Sequence, residues 1–319
     1  MSGAVDTGQE AAPVWLSGGT GLIGGRLRRA LANSGWPLRI VSRRPELLST
    51  EAGTEILPWD GLAPPKVSLA GCGAAIHLAG EPLFAGLPGK RHRERVWSSR
   101  VESTRALVDA LGRLHPHERP RTLLCASAVG YFGDRGEEAL DEDAPRGEGF
   151  LAALCEAWEQ QAARCEELGM RRVSLRFGVV LAREGGVLAR VAPIFRLGLG
   201  GRLGSGRQWF PWVHIDDAVA LVLRALEDES LRGPLHLVSP EPVRNLGFTA
   251  ALGRVLHRPT LLQVPAFAVR AALGPLADEL LGSKRVVSSR LRGVRFLHSP
   301  IESALRAELA PEPPRSQAS

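Results

Sequence analysis

Apolar positions along this chain fall into short unbroken runs, and between them lie longer stretches in which apolar residues recur every three or four positions. The run Val14-Trp15-Leu16 leads into Ser17-Gly18-Gly19-Thr20-Gly21-Leu22-Ile23-Gly24, and an amphipathic stretch follows through Leu31 and Ala32. That order predicts strand, glycine turn, helix. Further apolar runs at Leu38 to Val41, Ile56 to Trp59, Ala74 to Leu78, Thr122 to Ala126, Val173 to Phe177 and Leu235 to Val238 predict buried strands. Helical patterns separate them. Val96 to Leu114 sets Val101, Leu107, Val108 and Leu111 on one side, and Phe150 to Leu168 opens after Gly147-Glu148-Gly149. Strands without polar alternation, each followed by a helix, indicate an α/β fold built on a doubly wound parallel sheet.

The regular alternation stops after Phe177. Gly185 to Gly206 is rich in glycine, and Gln208-Trp209-Phe210-Pro211-Trp212-Val213-His214 is an aromatic segment too irregular for a sheet core, expected to line a pocket. From about residue 240 helical stretches are punctuated by Pro242, Pro259, Pro265 and Pro275. The organisation expected is a flexible tail over 1–12 and a Rossmann-type domain over 13–238 with a pocket-lining insertion at about 184–215. A smaller C-terminal substrate-facing subdomain over 239–310 and a flexible tail over 311–319 complete it.

Composition narrows the class. The 319 residues are 44% hydrophobic and 23% charged, with no apolar stretch near the roughly 20 residues of a membrane span. The net charge of +6 comes from dispersed arginines interleaved with apolar residues, so neither a nucleic-acid partner nor a membrane partner is expected. Cys72, Cys125, Cys155 and Cys165 form no CxxC pair and have no metal-ligand spacing with the eight histidines, so no metal is expected. No basic-then-apolar leader is visible, and a cytoplasmic location is the default expectation. Oligomeric state is not legible. The telling count is of rare residues: Tyr131 is the single tyrosine, and Lys66, Lys90 and Lys284 are the only lysines.

Gly18, Gly21 and Gly24 satisfy GxxGxxG, and Gly19, Gly21 and Gly24 satisfy GxGxxG, directly between a strand and a helix. Glycines let backbone N–H groups approach a pyrophosphate, and the helix N-terminus adds partial positive charge. Cofactor contact is therefore expected at Gly18, Thr20, Gly21, Leu22, Ile23 and Gly24. The second strand ends at Ser42-Arg43-Arg44, where an NAD-specific fold carries an acidic residue for the ribose hydroxyls. A hydroxyl and guanidinium groups suit a 2′-phosphate instead, which favours NADP(H). Asp60 either accepts from the adenine amino group or is a turn residue.

The segments SGGTGLIG, HLAG at 77–80, SAVGYFG at 127–133 and RFGVVL at 176–181 resemble an extended short-chain dehydrogenase/reductase. Trp97-Ser98-Ser99-Arg100, Trp158-Glu159, the run from Gly198 to Asp217, GRVLHRP and VPAFAVR make the chain similar to an atypical subgroup, the SDR39U1-like or YfcH-like proteins of the NAD-dependent epimerase/dehydratase family. The resemblance covers about residues 14 to 310. It implies cofactor contacts at the glycine loop, at Ser42 and Arg43, at the turn Leu78-Ala79-Gly80, and at Arg100, with Arg95 on the same helix face and Val180 near the nicotinamide end. Both arginines can equally be surface residues.

Ordinary members of the superfamily carry Tyr-x-x-x-Lys on the helix after the fifth strand, where the phenol moves a proton and the ammonium supports it. Glu159 matches the glutamate that often follows this motif, which places Leu151 and Cys155 at the tyrosine and lysine positions. Neither does that work. The catalytic candidates nearby are Ser127, whose place in the family alignment is shared with Ala128, and Tyr131, which is either an acid/base or a packing residue. His214, Asp216 and Asp217 read more strongly as a capped helix start than as a proton-transfer group. Gln208, Trp209 and Trp212 either recognise a polar ligand or hold two parts of the chain together. The expectation is an NADP(H)-binding oxidoreductase-like protein with an unknown small-molecule substrate, or a non-catalytic NADP(H)-binding regulator.

Overall fold

A computed structural model describes residues 12–309, except 50, 51, 63, 65 and 85–88. All seven expected strands enter one sheet: β1 (Val14–Ser17), β2 (Leu38–Ser42), β3 (Thr54–Pro58), β4 (Ala74–His77), β5 (Thr122–Ala128), β6 (Arg171–Phe177) and β7 (Gly233–Leu237). They pair in parallel in the order β3-β2-β1-β4-β5-β6-β7. The chain therefore winds outward from β1 to β3, then returns to the other side of β1 with β4. That reversal opens a crevice at the carboxyl ends of β1 and β4, the place where open α/β sheets hold ligands.

The inner strands are covered on both faces, which is why they read as unbroken apolar runs, whereas β3, at the edge, has no buried residue although a buried strand is expected at Ile56 to Trp59. Val14, Leu16, Ile40, Ile76, Leu124, Val173 and Leu175 share one core with Leu27 and Leu31 of α1 (Leu22–Asn33) and Val219 and Val222 of α6 (Ile215–Glu227). Trp15, Val41, Ala75, Leu123 and Cys125 point the other way. They meet Val101, Leu107, Val108 and Leu111, the stripe expected on one side, together with Leu154 and Trp158 of α4 (Phe150–Ala163). The first of these helical stretches is α2 (Lys90–Trp97) and α3 (Ser103–Gly112), joined by one π-helical segment at Ser98–Glu102. Such segments often mark functional places in helices.

The glycine-rich insertion contains a helix. Gly186–Arg196 forms a helix, α5, with Leu188, Ala192 and Phe195 buried at helical spacing. Gly185 and Gly198 stand at its ends, so within the glycine-rich insertion these glycines delimit a helix. Leu188 and Phe195 join Leu181, Trp212, Phe248 and Leu252 of α7 (Asn245–Leu256), and Ile301 and Leu305 of a final helix, in a third core. The residues after 239 do not only append to the sheet domain. Arg285–Val286 pairs in parallel with Ala139–Leu140, and Leu291 enters the first core. Most of the two expected tails, 1–11 and 311–319, lies outside the described residues. No helix among the described residues is long and apolar enough to cross a membrane.

Arg171 shows how a charge is accommodated in this frame. Its guanidinium, almost fully buried, donates to the carbonyls of Ala225, Leu226, Asp228 and Leu231 and to Thr122 Oγ1. It thereby satisfies the carbonyls at the C-terminal end of α6, where positive charge is favourable. Replacing Arg171 with Leu leaves those carbonyls buried without a donor, and the unfolding free energy measured by urea titration is expected to fall by about 2–4 kcal/mol.

Candidate functional site

The crevice is built by backbone approaching backbone. Gly18 has φ +75°, and a Cβ there would lie 2.7 Å from the carbonyl carbon of Leu78. A Cβ on Gly24 would lie 2.1 Å from the Gly18 carbonyl oxygen. Only glycine satisfies both positions. The Gly21 N–H donates to the Gly18 oxygen at 2.9 Å, closing the turn, and α1 begins at Leu22 with no side-chain cap and no acidic residue in its first turn. Thr20 and Gly21 are exposed at this end, whereas Leu22 and Ile23 are half-buried. A cradle of this shape, presenting a helix N-terminus, fits a pyrophosphate.

Beneath it, Ser17 Oγ lies 2.6 Å from His77 Nδ1, and His77 Nε2 lies 3.3 Å from Ser103 Oγ. This buried line ties β1 and β4 to α3. Burial pushes the His77 pKa down to about 4, so the imidazole is neutral at pH 7.

The other expected cofactor residues surround the same strand ends. Ser42 accepts from the Arg44 N–H at 3.1 Å, turning the chain so that Arg43 and Arg44 are exposed beyond β2. Asp60 accepts from the Leu62 N–H at 2.8 Å, the bond of a turn residue. Arg100 sits in the π-helical segment against the turn after β4. Its Cζ lies 3.3 Å from the point a Cβ on Gly80 would occupy, and its Nη1 donates to the Glu81 and Val96 carbonyls. Burial lowers its pKa, yet a guanidinium remains charged at pH 7. No carboxylate among the described residues forms an ion pair with it, whereas exposed Arg95 is paired with Glu81 at 3.7 Å. Val180 pairs with Val213, and Gly186 packs between Val180 and Leu22, which brings this strand beside the start of α1.

The catalytic candidates occupy a different kind of environment. Ser127 is 2% exposed and its hydroxyl donates to Glu159 Oε1 at 2.6 Å. Arg176 grips the same carboxylate at 2.8 and 2.9 Å, and its Cζ lies 3.7 Å from the Tyr131 ring centroid. Ser127, Glu159, Arg176 and the half-buried Tyr131 thus form one packed network joining β5, α4 and β6. Cys155 is buried beside it, and its thiol is pushed up to about 12 by burial and by the nearby carboxylates of Glu159 and Glu279. It carries no thiolate at neutral pH. Sequence reasoning matched Glu159 only as an alignment marker and overlooked Arg176, although a paired glutamate and arginine on adjacent elements was the available signal.

The aromatic segment chiefly joins parts of the chain. Gln208 donates to the Leu203 and Leu280 carbonyls, Trp212 to the Glu241 carbonyl, and Trp209 to Glu137. His214 caps α6 by accepting from the Asp216 N–H, and its Nε2 lies 3.0 Å from Glu308. Asp217 instead accepts from the Leu297 and His298 N–H groups, securing the returning chain. His214, Asp216 and His298 place potential metal donors within 4.8 Å of one another. Asp216, however, is paired with Arg26 at 3.2 Å and His214 Nδ1 is occupied by a backbone donor, so these residues are already engaged as a structural cluster.

Residues 14–237 match the NAD dependent epimerase/dehydratase family, and residues 264–308 match a domain of unknown function, DUF1731. An epimerase family protein of Mycobacterium leprae (strain TN) is 38% identical over 300 residues, covering 92% of this chain and 94% of that protein. The Homo sapiens epimerase family protein SDR39U1 is 34% identical over 290 residues, covering 90% and 95%. A crystal structure of human SDR39U1 (isoform 2) with NADPH superposes with a TM-score of 0.80 at 30% identity, covering 93% of this chain and 98% of that one. A nucleoside-diphosphate sugar epimerase from Corynebacterium glutamicum gives a TM-score of 0.75 at 30% identity, covering 94% and 58%.

The depressed His77 pKa has a stability consequence. The unfolded chain takes up a proton near the ordinary value of 6.5, but the folded chain does so only near 4, so stability is full above about pH 6.5 and is lost as pH falls toward 4. In His77→Asn that contribution is absent. Chemical denaturation at a series of pH values is expected to show a flatter dependence for the variant across this window.

Proposed function

The chain belongs to the NAD dependent epimerase/dehydratase family, and we propose that it is an NADP(H)-dependent oxidoreductase acting on a small polar or nucleotide-linked alcohol or ketone. The observation that carries the cofactor choice is the end of β2. Arg43 and Arg44 are exposed there beside Ser42, with no carboxylate before Glu46, next to a glycine cradle that side chains would fill. A ribose 2′-phosphate supplies the anionic acceptors those groups lack. That a human relative was crystallised with NADPH supports the same choice.

In this reading Gly18, Thr20, Gly21, Leu22, Ile23 and Gly24 hold the pyrophosphate. Ser42, Arg43 and Arg44 hold the 2′-phosphate, and Asp60 borders the adenine. Leu78, Ala79 and Gly80 line the adenosine and its ribose, while Arg100 and Val180 border the path toward the nicotinamide. The bound cofactor supplies hydride transfer, and the chain's own part is to orient it and to manage the substrate proton. Ser127 and Tyr131 flank that place and, held in the Glu159–Arg176 network, position its wall.

One observation favours a second reading. Leu151 and the buried thiol of Cys155 stand where the resemblance puts the tyrosine and lysine, which suits a protein that binds NADP(H) without turning over. Purified protein with NADPH and a panel of carbonyl and sugar-nucleotide compounds separates the two by the absorbance of the reduced cofactor. Turnover supports the enzyme, whereas tight NADPH binding with no turnover supports the regulator. For the cofactor itself, Arg43→Ala is expected to lower the NADPH/NADH affinity ratio by roughly 10-fold or more, the worth of one charge-assisted contact. An unchanged ratio in fluorescence titration removes the 2′-phosphate assignment.

A further inference from the structure

The segment Leu276 to Val286 contributes a charged pair that nothing in the Rossmann motifs calls for. A short helix, Ala277–Leu281, is anchored by buried Leu276 and Ala277, and Arg285–Val286 is fastened to Ala139–Leu140. Ser283 is held from both sides: its N–H donates to Asp134, its hydroxyl to the Gly136 carbonyl, and its own carbonyl accepts from the Arg135 N–H. Gln208 holds the Leu280 carbonyl. The segment is thereby fixed against the loop that follows β5.

This places Glu279 at the catalytic end of the sheet. Its Oε2 lies 3.3 Å from the point a Cβ on Gly130 would occupy, and the Cβ of Leu151 lies 3.3 Å from the same point. Leu151 is the residue that stands at the tyrosine position, so a carboxylate oxygen from the far end of the chain reaches the space beside it. Lys284, 2% exposed and one of three lysines, donates to Glu279 Oε2 at 3.2 Å and to the Glu279 carbonyl at 3.4 Å. Burying an ammonium and a carboxylate for packing alone is a poor source of stability, since desolvation offsets most of their attraction. The pair stands beside Leu151, the residue at the tyrosine position, where a proton-transfer group would be needed.

We infer that Glu279 is the proton-transfer group of this site and that Lys284 positions its carboxylate, the two replacing the missing tyrosine–lysine pair. This role rests on the oxidoreductase reading above. In the oxidising direction a substrate secondary alcohol gives its hydroxyl proton to the Glu279 carboxylate. Its carbinol hydrogen leaves with both electrons as hydride to NADP⁺, so the alcohol becomes a ketone, and the carboxylic acid then returns its proton to water. Reduction of a ketone by NADPH runs through the same transfers in reverse. Among the described residues, Lys284 pairs with Glu279, and the Cys155 thiol on α4, which burial keeps neutral, also interacts electrostatically with it.

The test uses the full chain, with phenanthrenequinone and methylglyoxal as probes in the presence of NADPH and UDP-glucose as the probe with NADP⁺. Glu279→Gln is expected to lower kcat by about 10²- to 10⁴-fold, the usual worth of a positioned acid/base, while the NADPH dissociation constant from tryptophan fluorescence and the melting temperature stay close to wild type. Added formate is expected to restore part of the rate in Glu279→Ala, because a small carboxylate can occupy the vacated space. Lys284→Met is expected to lower kcat more than it raises KM. Wild-type turnover that Glu279→Gln leaves unchanged overturns the assignment and keeps the oxidoreductase reading. A loss that formate does not restore, or that accompanies weaker NADPH binding or a collapsed melting temperature, makes Glu279 structural and also overturns it. No wild-type turnover on any probe, with NADPH bound, overturns the reading and this role together.

Discussion

The close approach of Gly18 to the turn after β4 is the constraint on which the rest of the structure depends. At 2.7 Å from a neighbouring carbonyl carbon no Cβ can stand there, so β1 and β4 come together only because this residue is glycine. Their pairing sets the reversal of strand order, and the reversal opens the crevice. Gly24, with the Gly18 oxygen 2.1 Å from its absent Cβ, lets α1 enter at the angle that presents its N-terminus to that crevice. The Ser17–His77–Ser103 line then locks the two strands from below. Fold and cofactor cradle are one arrangement of backbone.

Around the far side of the crevice the sequence-predicted catalytic residues sit in one packed network. The Ser127 hydroxyl, Glu159, Arg176 and the Tyr131 ring satisfy one another. A guanidinium between a carboxylate and an aromatic face, largely removed from water, is an interaction strong enough to hold three elements in register. What it holds is the wall beside Gly130. The lack of a side chain at Gly130 leaves space there, and Glu279 enters it from a segment about 150 residues further along the chain.

That entry explains why the C-terminal region is integrated with the sheet domain. Asp217 fastens residues 297 and 298, Leu291 enters the first core, and Arg285–Val286 adds to the ladder at Ala139. Each contact ties the C-terminal region that carries Glu279 and Lys284 to the sheet domain. The aromatic segment from Gln208 to Trp212 belongs to the same joinery, with its amide and indole donors spent on chain carbonyls and Glu137.

Much of this was legible one residue at a time. Buried parallel strands must be apolar on both faces, so most of the seven could be read as runs, whereas the edge strand β3 carries exposed Glu55 and no buried residue, and the glycine loop announced itself because no other residue permits that backbone. That the tyrosine and lysine positions hold Leu151 and Cys155 is what the resemblance to the family implies, through the match at Glu159. In the insertion, glycines bound a helix whose apolar positions, Leu188, Ala192 and Phe195, count only once a partner surface exists, so periodicity alone did not reveal it. Local pattern by itself determined the α/β class and the cradle, because each follows from the sterics or periodicity of neighbouring residues. The tertiary structure alone decided that Ser127 and Tyr131 are bound into the Glu159–Arg176 network and that Glu279 with Lys284 reaches Leu151. Such encounters depend on where a distant segment is brought back by packing, and nothing in the spacing along the chain records that.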